Sequence, residues 1–500
     1  MYNTYSKRHN KFLFRLLQEP YATVSARPKT KILMSLTIRR PPKKEGFGDK
    51  ILKEEVFLME NKNKVPVVNK CAYAVGTGAG NIFNQIAAAF LLQYYTDTAL
   101  ISAGAIATMF LVCRVFDGIS DFTMGAIIDK THTKLGKARP WLLLSAPLML
   151  IGMFLLMNVP MGASDSGKLA YAYVTYILMN CIIYTIYGIS NTAMLPLMSD
   201  NPKEHTMLAT FQSLGNNIIG LIAGSAITPL VMATGWRVSS IVLGVIAMAL
   251  ILFSALLNKE LGTGNTNGDM PVKESVPMGE QLAGVLKNRY FYILVLIGIF
   301  PLLMNANTVG AQIFYCNLVL DNPGFMSTMM FVSQFPGIII MFLMPYVANK
   351  YSKQAFLILG SVLLVVGFAI TGFAGANTSL LIAGTVVRAL GAGPLLGGVY
   401  ALIPDVVDYG EWKFGTRSEG LISSAQSIGS KVGIGVGSAL TGWILAAVHY
   451  NPTEAPTEAV INAVKFDFTW LGVIISAVIL VIVLFMNVEK YASEYRLLHK

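Results

Sequence analysis

The sequence predicts an all-α membrane protein with twelve transmembrane helices in two pseudo-symmetric six-helix bundles, both termini being cytoplasmic. Hydrophobic residues make up 54% of the 500 residues and charged residues only 13%, whereas about 25% of the residues in an ordinary soluble domain are charged. Apolar stretches long enough to cross a hydrocarbon core of about 30 Å recur along the chain. This composition excludes soluble enzymes, nucleic-acid-binding proteins and secreted scaffolds.

The apolar stretches form two sets of six, separated by a polar linker. They predict an N-terminal bundle within 59–257, a cytoplasmic linker at 258–289 that ends in a short surface helix, a C-terminal bundle at 290–487 and a cytoplasmic tail at 488–500. The predicted spans are 72–95, 101–128, 141–161, 169–198, 207–232, 237–257, 290–318, 325–348, 355–374, 378–404, 420–448 and 467–487.

The placement of basic residues predicts the orientation in the membrane. The loops after the even-numbered spans, together with the C-terminal tail, contain 16 Lys and Arg, whereas the loops on the other side contain three, Lys168, Arg237 and Lys465. Because basic loops tend to remain cytoplasmic, both termini are predicted to face the cytoplasm. We expect a multi-pass protein of the bacterial inner membrane that contacts the lipid bilayer and functions as a monomer.

Residues 1–58 form a separate basic extension. Residues 1–70 contain 16 of the 38 Lys and Arg, and no signal-peptide hydrophobic region is present. Two interpretations stay open: a disordered tail that touches anionic lipid, or an untranslated segment ahead of a start at Met59. We favour the second, because Lys53-Glu54-Glu55 can be encoded by a purine-rich run that resembles a ribosome-binding site.

No cofactor is predicted. The four cysteines lie in or beside apolar segments without CxxC spacing, the five histidines form no cluster, and no GxxxxGK[ST] phosphate-binding motif occurs. Energy for any transport therefore has to come from an ion gradient, and no metal beyond a possible Na⁺ is expected.

The two halves echo each other in sequence. Gln212-Ser213-x-Gly215 in the first half matches Gln426-Ser427-x-Gly429 in the second. Weak internal symmetry of this kind is typical of transporters built from repeats, whose substrate site lies between the repeats near the bilayer midplane.

Three charged side chains lie within the second predicted span. Arg114, Asp117 and Asp121 share one helix face, with Ser120 at its edge. A charge at mid-membrane costs about 2.5–3.5 kcal/mol, and two neighbouring carboxylates need neutralisation by the arginine, a proton or a small cation. Oxygen ligands suit an alkali cation, and Thr185 of the fourth span can complete the shell. The alternative is an Arg–Asp pair that only holds helices together.

Two more basic residues lie within spans of the second half. Lys431 in the eleventh span is expected to pair with the second-span carboxylates, although the small residues around it also suit helix packing. Arg388 in the tenth span is interpreted equally as a structural or gating pair or as a substrate contact. Among the amide residues in spans, Asn81, Gln85 and Gln212 are the candidate cargo contacts.

At these residues the sequence resembles the glycoside–pentoside–hexuronide:cation symporter family of the major facilitator superfamily. The resemblance covers about 69–488, and its strongest segments are YAVGTGAGN, FLLQYYTDT, RVFDGISDFTMGAIIDKTHTKLGKARPW, DVVDYGEWKFGTRSEG and SKVGIGVGSALTG. It implies two six-helix bundles that move by alternating access and symport driven by Na⁺ or H⁺.

The resemblance also implies roles for individual residues. It places the cation site at Asp117, Ser120, Asp121 and Thr185, and charged cavity residues at Arg114 and Lys431. Because sodium-using relatives can have asparagine at the Ser120 position, the choice between Na⁺ and H⁺ stays open. The implied cytoplasmic gate consists of Asp129, Lys137, Arg139, Asp408, Glu411, Arg417 and Glu419; a solvated basic surface is the alternative for these loops.

Departures from the family pattern concern the cargo. Galactoside-transporting members bind their sugar with two carboxylates, an arginine and tryptophans. By an ungapped alignment the corresponding positions hold Asn81, Gly188, Gln212, Thr192 and Leu396. A galactoside is therefore an unfavourable cargo, and a pentoside, another glycoside, a hexuronate or a less polar amphiphile stays open.

Two other functions were weighed against symport of a small organic solute, expected to be a carbohydrate. A non-transporting solute sensor of the same fold has no need for the charged face of the second span. A membrane-embedded enzyme would need a nucleophile–base pair or a metal cluster, and neither appears in the predicted spans.

Overall fold

The computed structural model describes residues 64–260, 278–350, 352–415 and 417–491. The predictions for 1–58, for the first part of the linker and for the end of the C-terminal tail concern residues outside these ranges. Within them the chain is helical, and the one β-bridge, between Thr133 and Gly136, is isolated.

The N-terminal half contains five long helices. Helix α1 (Val67–Gln85) is continued to Thr98 by the short helical segments Ile86–Phe90, Leu91–Gln93 and Tyr94–Thr98. The others are α2 (Ala103–Lys130), α3 (Arg139–Leu156), α4 (Asp165–Leu197) and α5 (Pro202–Leu257).

The C-terminal half follows the short helix α6 (Met278–Lys287), which lies where the sequence predicts a surface helix. The half consists of α7 (Arg289–Phe314, continued as Tyr315–Val319), α8 (Phe325–Lys350), α9 (Lys353–Ala374), α10 (Thr378–Phe414), α11 (Glu419–Ala447) and α12 (Glu458–Lys465, Phe466–Trp470 and Leu471–Leu484).

Helix α5 is broken at one glycine. Gly235 has φ 75° and ψ 167° inside the 56-residue helix, a conformation that favours glycine because it has no Cβ. The break lies between the predicted spans 207–232 and 237–257. In the described part of the chain nine helices, α5 counted as one, are long and apolar enough to cross a membrane; the count of twelve spans stays a prediction.

Glycines let helices pack backbone to backbone. A Cβ on Gly215 of α5 would lie 1.9 Å from the carbonyl oxygen of Ala74 in α1, and one on Gly391 of α10 would lie 2.6 Å from that of Gly360 in α9. Such close approach is the usual way in which helices associate in lipid, where no hydrophobic driving force acts between them.

Each half also contains an ion pair between two helices, which is buried on both sides in the N-terminal half and on the carboxylate side in the C-terminal half. Lys70 of α1 pairs with Glu204 of α5 at 2.8 Å, and Lys353 of α9 pairs with Asp405 of α10 at 2.7 Å. Removing one partner of such a pair typically costs about 3–5 kcal/mol because the other charge is left buried. These pairs tie the helices of each half together.

The two halves are in contact at one end, here called the closed end and defined by Asp97, Ala103, Gly442 and Tyr450. A Cβ on Gly442 would lie 2.8 Å from the carbonyl oxygen of Ala103, and the Tyr450 hydroxyl donates to Asp97 at 3.0 Å. At the opposite end Arg139 bonds to the carbonyl of Ala255 within its own half. This arrangement leaves a cavity between the halves.

Candidate functional site: a central cavity beside a charged network

The central cavity has a volume of about 460 Å³ and is lined by both halves of the protein. Its polar lining consists mainly of amide side chains and two guanidinium groups, and no carboxylate lines it among the described residues. The amides and guanidiniums are Asn81, Asn84, Gln85, Asn180, Asn217, Asn305, Gln312, Gln334, Arg114 and Arg388. Amides both donate and accept hydrogen bonds, which suits a cargo rich in hydroxyl groups.

Asp117 is the buried member of the charged network, with 8% of its surface exposed. Its Oδ2 accepts from Arg114 Nη1 at 3.1 Å, one helical turn away on α2. Its Oδ1 accepts from Asn180 Nδ2 at 2.6 Å and from the Cys181 thiol at 3.1 Å, both on α4. Because the carboxylate has a basic partner and two neutral donors, its negative charge is compensated within the membrane.

Asp121 joins the two halves of the protein. Its Oδ2 accepts from Lys431 Nζ of α11 at 2.6 Å, and its Oδ1 accepts from Thr185 Oγ1 of α4 at 3.3 Å. Ser120 Oγ lies 3.2 Å from Thr185 Oγ1. The four residues predicted to bind a cation are therefore neighbours, and their carboxylates are neutralised by Arg114 and Lys431.

The backbone of α4 widens where it meets α2. Residues Ile177–Ile183 form π-helical turns, which add a residue to the helix and frequently occur at functional sites. The segment places Asn180 and Cys181 side by side against Asp117. Asn180 is not among the candidate cargo contacts that the sequence predicts; a lone amide in an apolar span was the available signal.

Two of the three predicted cargo contacts line the cavity. Asn81 lines the cavity and donates to the carbonyl of Asn216 at 2.7 Å. Gln85 lines it too, and donates at 2.9 Å both to the carbonyl of Gly220 and to Gln334 Oε1 of the other half. Gln212 is absent from the cavity lining.

One predicted gate loop is tied to the end of α5. Glu260, which sequence reasoning missed, accepts from the backbone N–H groups of Lys137 (2.7 Å), Ala138 (2.8 Å) and Arg139 (2.8 Å). Arg139 also donates to the carbonyl of Ala255 at 2.7 Å. Asp129 lies on the last turn of α2, next to this loop.

The other predicted gate loop follows α10. Arg417 pairs with Glu411 at 2.8 Å, with Asp408 at 3.4 Å, and with Glu419. The hydrogen bonds that Arg417 donates to Glu411 and Glu419 raise the pKa of its guanidinium group. The group therefore stays charged throughout the physiological pH range, and the loop is held by ion pairs within its own half.

A family model described as MFS/sugar transport protein matches residues 72–490. The chain belongs to this family. The predicted resemblance to a sugar–cation symporter family of the major facilitator superfamily is thereby confirmed. This transporter is a multi-pass membrane protein and not an enzyme.

Named relatives and solved structures agree with the family. The isoprimeverose transporter of Lactiplantibacillus pentosus is 30% identical over 86% of this chain and 90% of the relative. The glucuronide carrier protein homolog of Escherichia coli K12 is 26% identical over 79% of this chain and 86% of the relative. This transporter also aligns with the crystal structure of the nucleoside transporter NupG. The alignment covers 85% of this chain and 99% of the NupG chain, with a TM-score of 0.60 and 13% sequence identity. That likeness confirms the major facilitator fold.

Proposed function

We propose that this transporter couples one small cation, Na⁺ or H⁺, to the transport of a hydroxyl-rich carbohydrate by alternating access. The observation that supports it most is the contact of Lys431 Nζ with Asp121 Oδ2 at 2.6 Å, because it joins the two halves beside the cavity. No cofactor takes part in the proposed mechanism, and the coupling ion acts at Asp117, Ser120, Asp121 and Thr185.

The coupling step is an exchange of partners at Asp121. A cation that enters between Asp117 and Asp121 takes over the charge compensation that Lys431 provides. The ammonium group of Lys431 is then released from the N-terminal half, which weakens one link between the halves. Because the ion pair is only about one-third exposed on each side, the exchange takes place where screening by water is weaker than at a surface.

Alternating access is supported by the asymmetry between the two ends. The closed end carries contacts between the halves, whereas the loops with Arg139 and Arg417 bond within their own halves. With the basic loops on the cytoplasmic side, the present conformation corresponds to an inward-facing state of a protein with twelve spans in the bacterial inner membrane. These two loops form the proposed cytoplasmic gate.

The proposed cargo is a carbohydrate other than a galactoside. The amide lining favours hydroxyl groups, and Leu396, where galactoside transporters of the family have a tryptophan, lines the cavity. Relatives named for isoprimeverose and for glucuronide transport give the same cargo class. Asn81, Gln85 and Gln212 are the proposed cargo contacts in the N-terminal half, and the first two line the cavity.

The proposal is tested with purified full-length protein in proteoliposomes. Uptake of a panel of radiolabelled glycosides is measured with an inward Na⁺ gradient, with an inward pH gradient and with neither. We expect one gradient to drive accumulation in the wild type and in the exposed-loop control Asp321→Asn, and the Asp121→Asn variant to equilibrate cargo without accumulating it. Gradient-driven accumulation by Asp121→Asn would overturn the cation-site assignment.

A further inference from the structure

Arg388 places a buried guanidinium on the wall of the cavity. It lies on α10, has 6% of its surface exposed and lines the central cavity. Among the described residues it forms no ion pair with a carboxylate within 4 Å, and its Nη1 has no hydrogen-bond partner there. A buried charge of this kind needs a compensating group.

Two phenylalanine rings hold the guanidinium in place. Its Cζ lies 4.9 Å from the centre of the Phe368 ring and 5.1 Å from that of the Phe468 ring. The rings attract the cation through their faces, but they accept none of its N–H hydrogen bonds. The planar group is thus fixed in orientation while its Nη1 has no hydrogen-bond acceptor among the described residues.

The unsatisfied buried atoms on the cavity wall are all nitrogen donors in the part of the chain that the structure describes. They are Arg114 Nε, Gln312 Nε2 and Arg388 Nη1. Buried polar groups in folded proteins are almost always hydrogen-bonded. Three orphan donors around one cavity therefore point to a ligand rich in acceptors.

The charged side chains around the cavity also favour a negatively charged cargo. Arg114 is compensated by Asp117 and Lys431 by Asp121, whereas Arg388 forms no ion pair in the part of the chain that the structure describes. Binding of the coupling cation adds a further positive charge. A cargo with one negative charge would compensate Arg388 and reduce the electrostatic cost of occupying both sites together.

We propose that Arg388 forms an anion subsite that binds a carboxylate or sulfonate group of an acidic sugar, with the sugar ring on the amide side chains. This inference rests on the proposed sugar transport and narrows its cargo class. A planar guanidinium matches the two oxygens of such a group in a bidentate geometry, which a lysine ammonium does not. Because the guanidinium is held in one orientation and can bind two oxygens at once, Arg388 determines the specificity for an acidic sugar over a neutral one.

The test compares matched sugars that differ in one group. Binding of methyl β-D-glucoside, methyl β-D-glucuronide and methyl 6-deoxy-6-sulfo-β-D-glucoside to the detergent-purified full chain is measured by calorimetry in sodium buffer. The variants are Arg388→Met, which fills the space between the rings without a charge, and Arg388→Lys, which keeps the charge. Arg289→Met is the matched control, because Arg289 lies over the ring of Tyr290 at the start of α7, outside the cavity.

We expect wild type and Arg289→Met to bind at least one acidic sugar about tenfold more tightly than the neutral glucoside, as a charge-assisted pair allows. Arg388→Met should abolish that preference and leave glucoside binding within about twofold. Arg388→Lys should reduce it by an intermediate factor, and this variant serves alone if Arg388→Met does not fold. Whichever of the two acidic sugars binds more tightly shows whether the subsite prefers a carboxylate or a sulfonate.

Equal binding of neutral and acidic sugars by the wild type, or a preference that survives in both Arg388 variants, would overturn the subsite. Failure of the proposed function has a different signature. Acidic sugars would then bind in an Arg388-dependent manner, yet neither ion gradient would drive their accumulation in proteoliposomes.

Discussion

Asn180 donates a hydrogen bond of 2.6 Å to Asp117 Oδ1 and at the same time lines the central cavity. One amide group thus touches both the carboxylate of the candidate cation site and the space available to cargo. A ligand that reorients the amide changes the hydrogen bonding of Asp117, and a cation on Asp117 changes the amide that the ligand meets. Such differential contact is the physical requirement for coupling between two sites.

Asn180→Ala is expected to weaken this coupling more than the binding of cargo alone. Without the amide, Asp117 loses a hydrogen bond to its charged form, typically worth about 1.5–3 kcal/mol. The enhancement of cargo affinity by the coupling ion should fall about tenfold or more. Isothermal titration of cargo with and without the ion measures it. Asn158→Ala, at the end of α3 and outside the cavity lining, is the control and should keep the full enhancement.

Lys431→Met is expected to increase the stabilisation that the coupling ion provides. The variant leaves Asp121 without its 2.6 Å partner. A cation can then bind the Asp121 carboxylate without competing with the ammonium group of Lys431. Since both side chains are about one-third exposed, the loss of stability without the ion should stay near 1 kcal/mol. Melting temperatures in sodium, lithium and potassium at matched ionic strength, and across pH, measure both effects. An ion response smaller than that of the wild type would contradict the exchange of partners.

Glu260→Ala is expected to loosen the loop between α2 and α3. The carboxylate accepts from three consecutive backbone N–H groups at 2.7–2.8 Å, and those donors lose a charged acceptor when it is removed. Hydrogen exchange at residues 137–139 should accelerate by about one to two orders of magnitude, in line with hydrogen bonds to a charged group. Glu280→Ala on the short helix α6 is the comparison variant, and equal exchange in the two proteins would refute the role of Glu260.

Gly442→Leu is expected to keep the two halves of the protein apart at the closed end. A Cβ at this position already lies 2.7 Å from Cβ of Ala107 and 2.8 Å from the carbonyl oxygen of Ala103, so a larger side chain forces α2 and α11 apart. The population should shift towards a state open at that end. A membrane-impermeant thiol reagent added from the side of the closed end should then modify a cysteine introduced at Ser438, on the cavity lining, faster than in the protein with Gly442. Gly162→Leu, in the open space of the loop after α3, should label at the wild-type rate.

The helices were predictable because their signals are local. The apolar run at 101–128 corresponds to α2 at Ala103–Lys130, and the helical spacing of Arg114, Asp117 and Asp121 put them on one face. The short helix at the end of the linker was predictable in the same way. Hydropathy and 3.6-residue periodicity need no knowledge of the rest of the chain.

The partners of those charges were only partly predictable. The sequence indicated that Lys431 would meet a second-span carboxylate, and the family resemblance implied Thr185, but neither distinguished Asp121 from Asp117 as the partner. The choice depends on the axial offset between α2 and α11. That offset is set by packing of small residues such as Gly435 against Arg114 and Gly442 against Ala103.

Three features had no usable sequence signal. Glu260 lies more than 120 residues from the N–H groups that it caps, Asn180 looked like any amide in an apolar span, and Arg388 was equally compatible with a structural pair. The role of each residue depends on which polar atoms it meets, or leaves unpaired, once the helices have packed.

The sequence by itself determined that this chain is a helical membrane protein, which of its residues carry charge inside the membrane, and to which family it belongs. Those properties follow from composition, periodicity and motif, all of which are read along the chain. Only the tertiary structure decided that Lys431 pairs with Asp121, that Asn180 touches both sites and that Arg388 has no acidic partner among the residues that the structure describes. Contacts between distant helices depend on their rotation and offset, and shifts of a few ångströms in either change which hydrogen bonds and ion pairs can form.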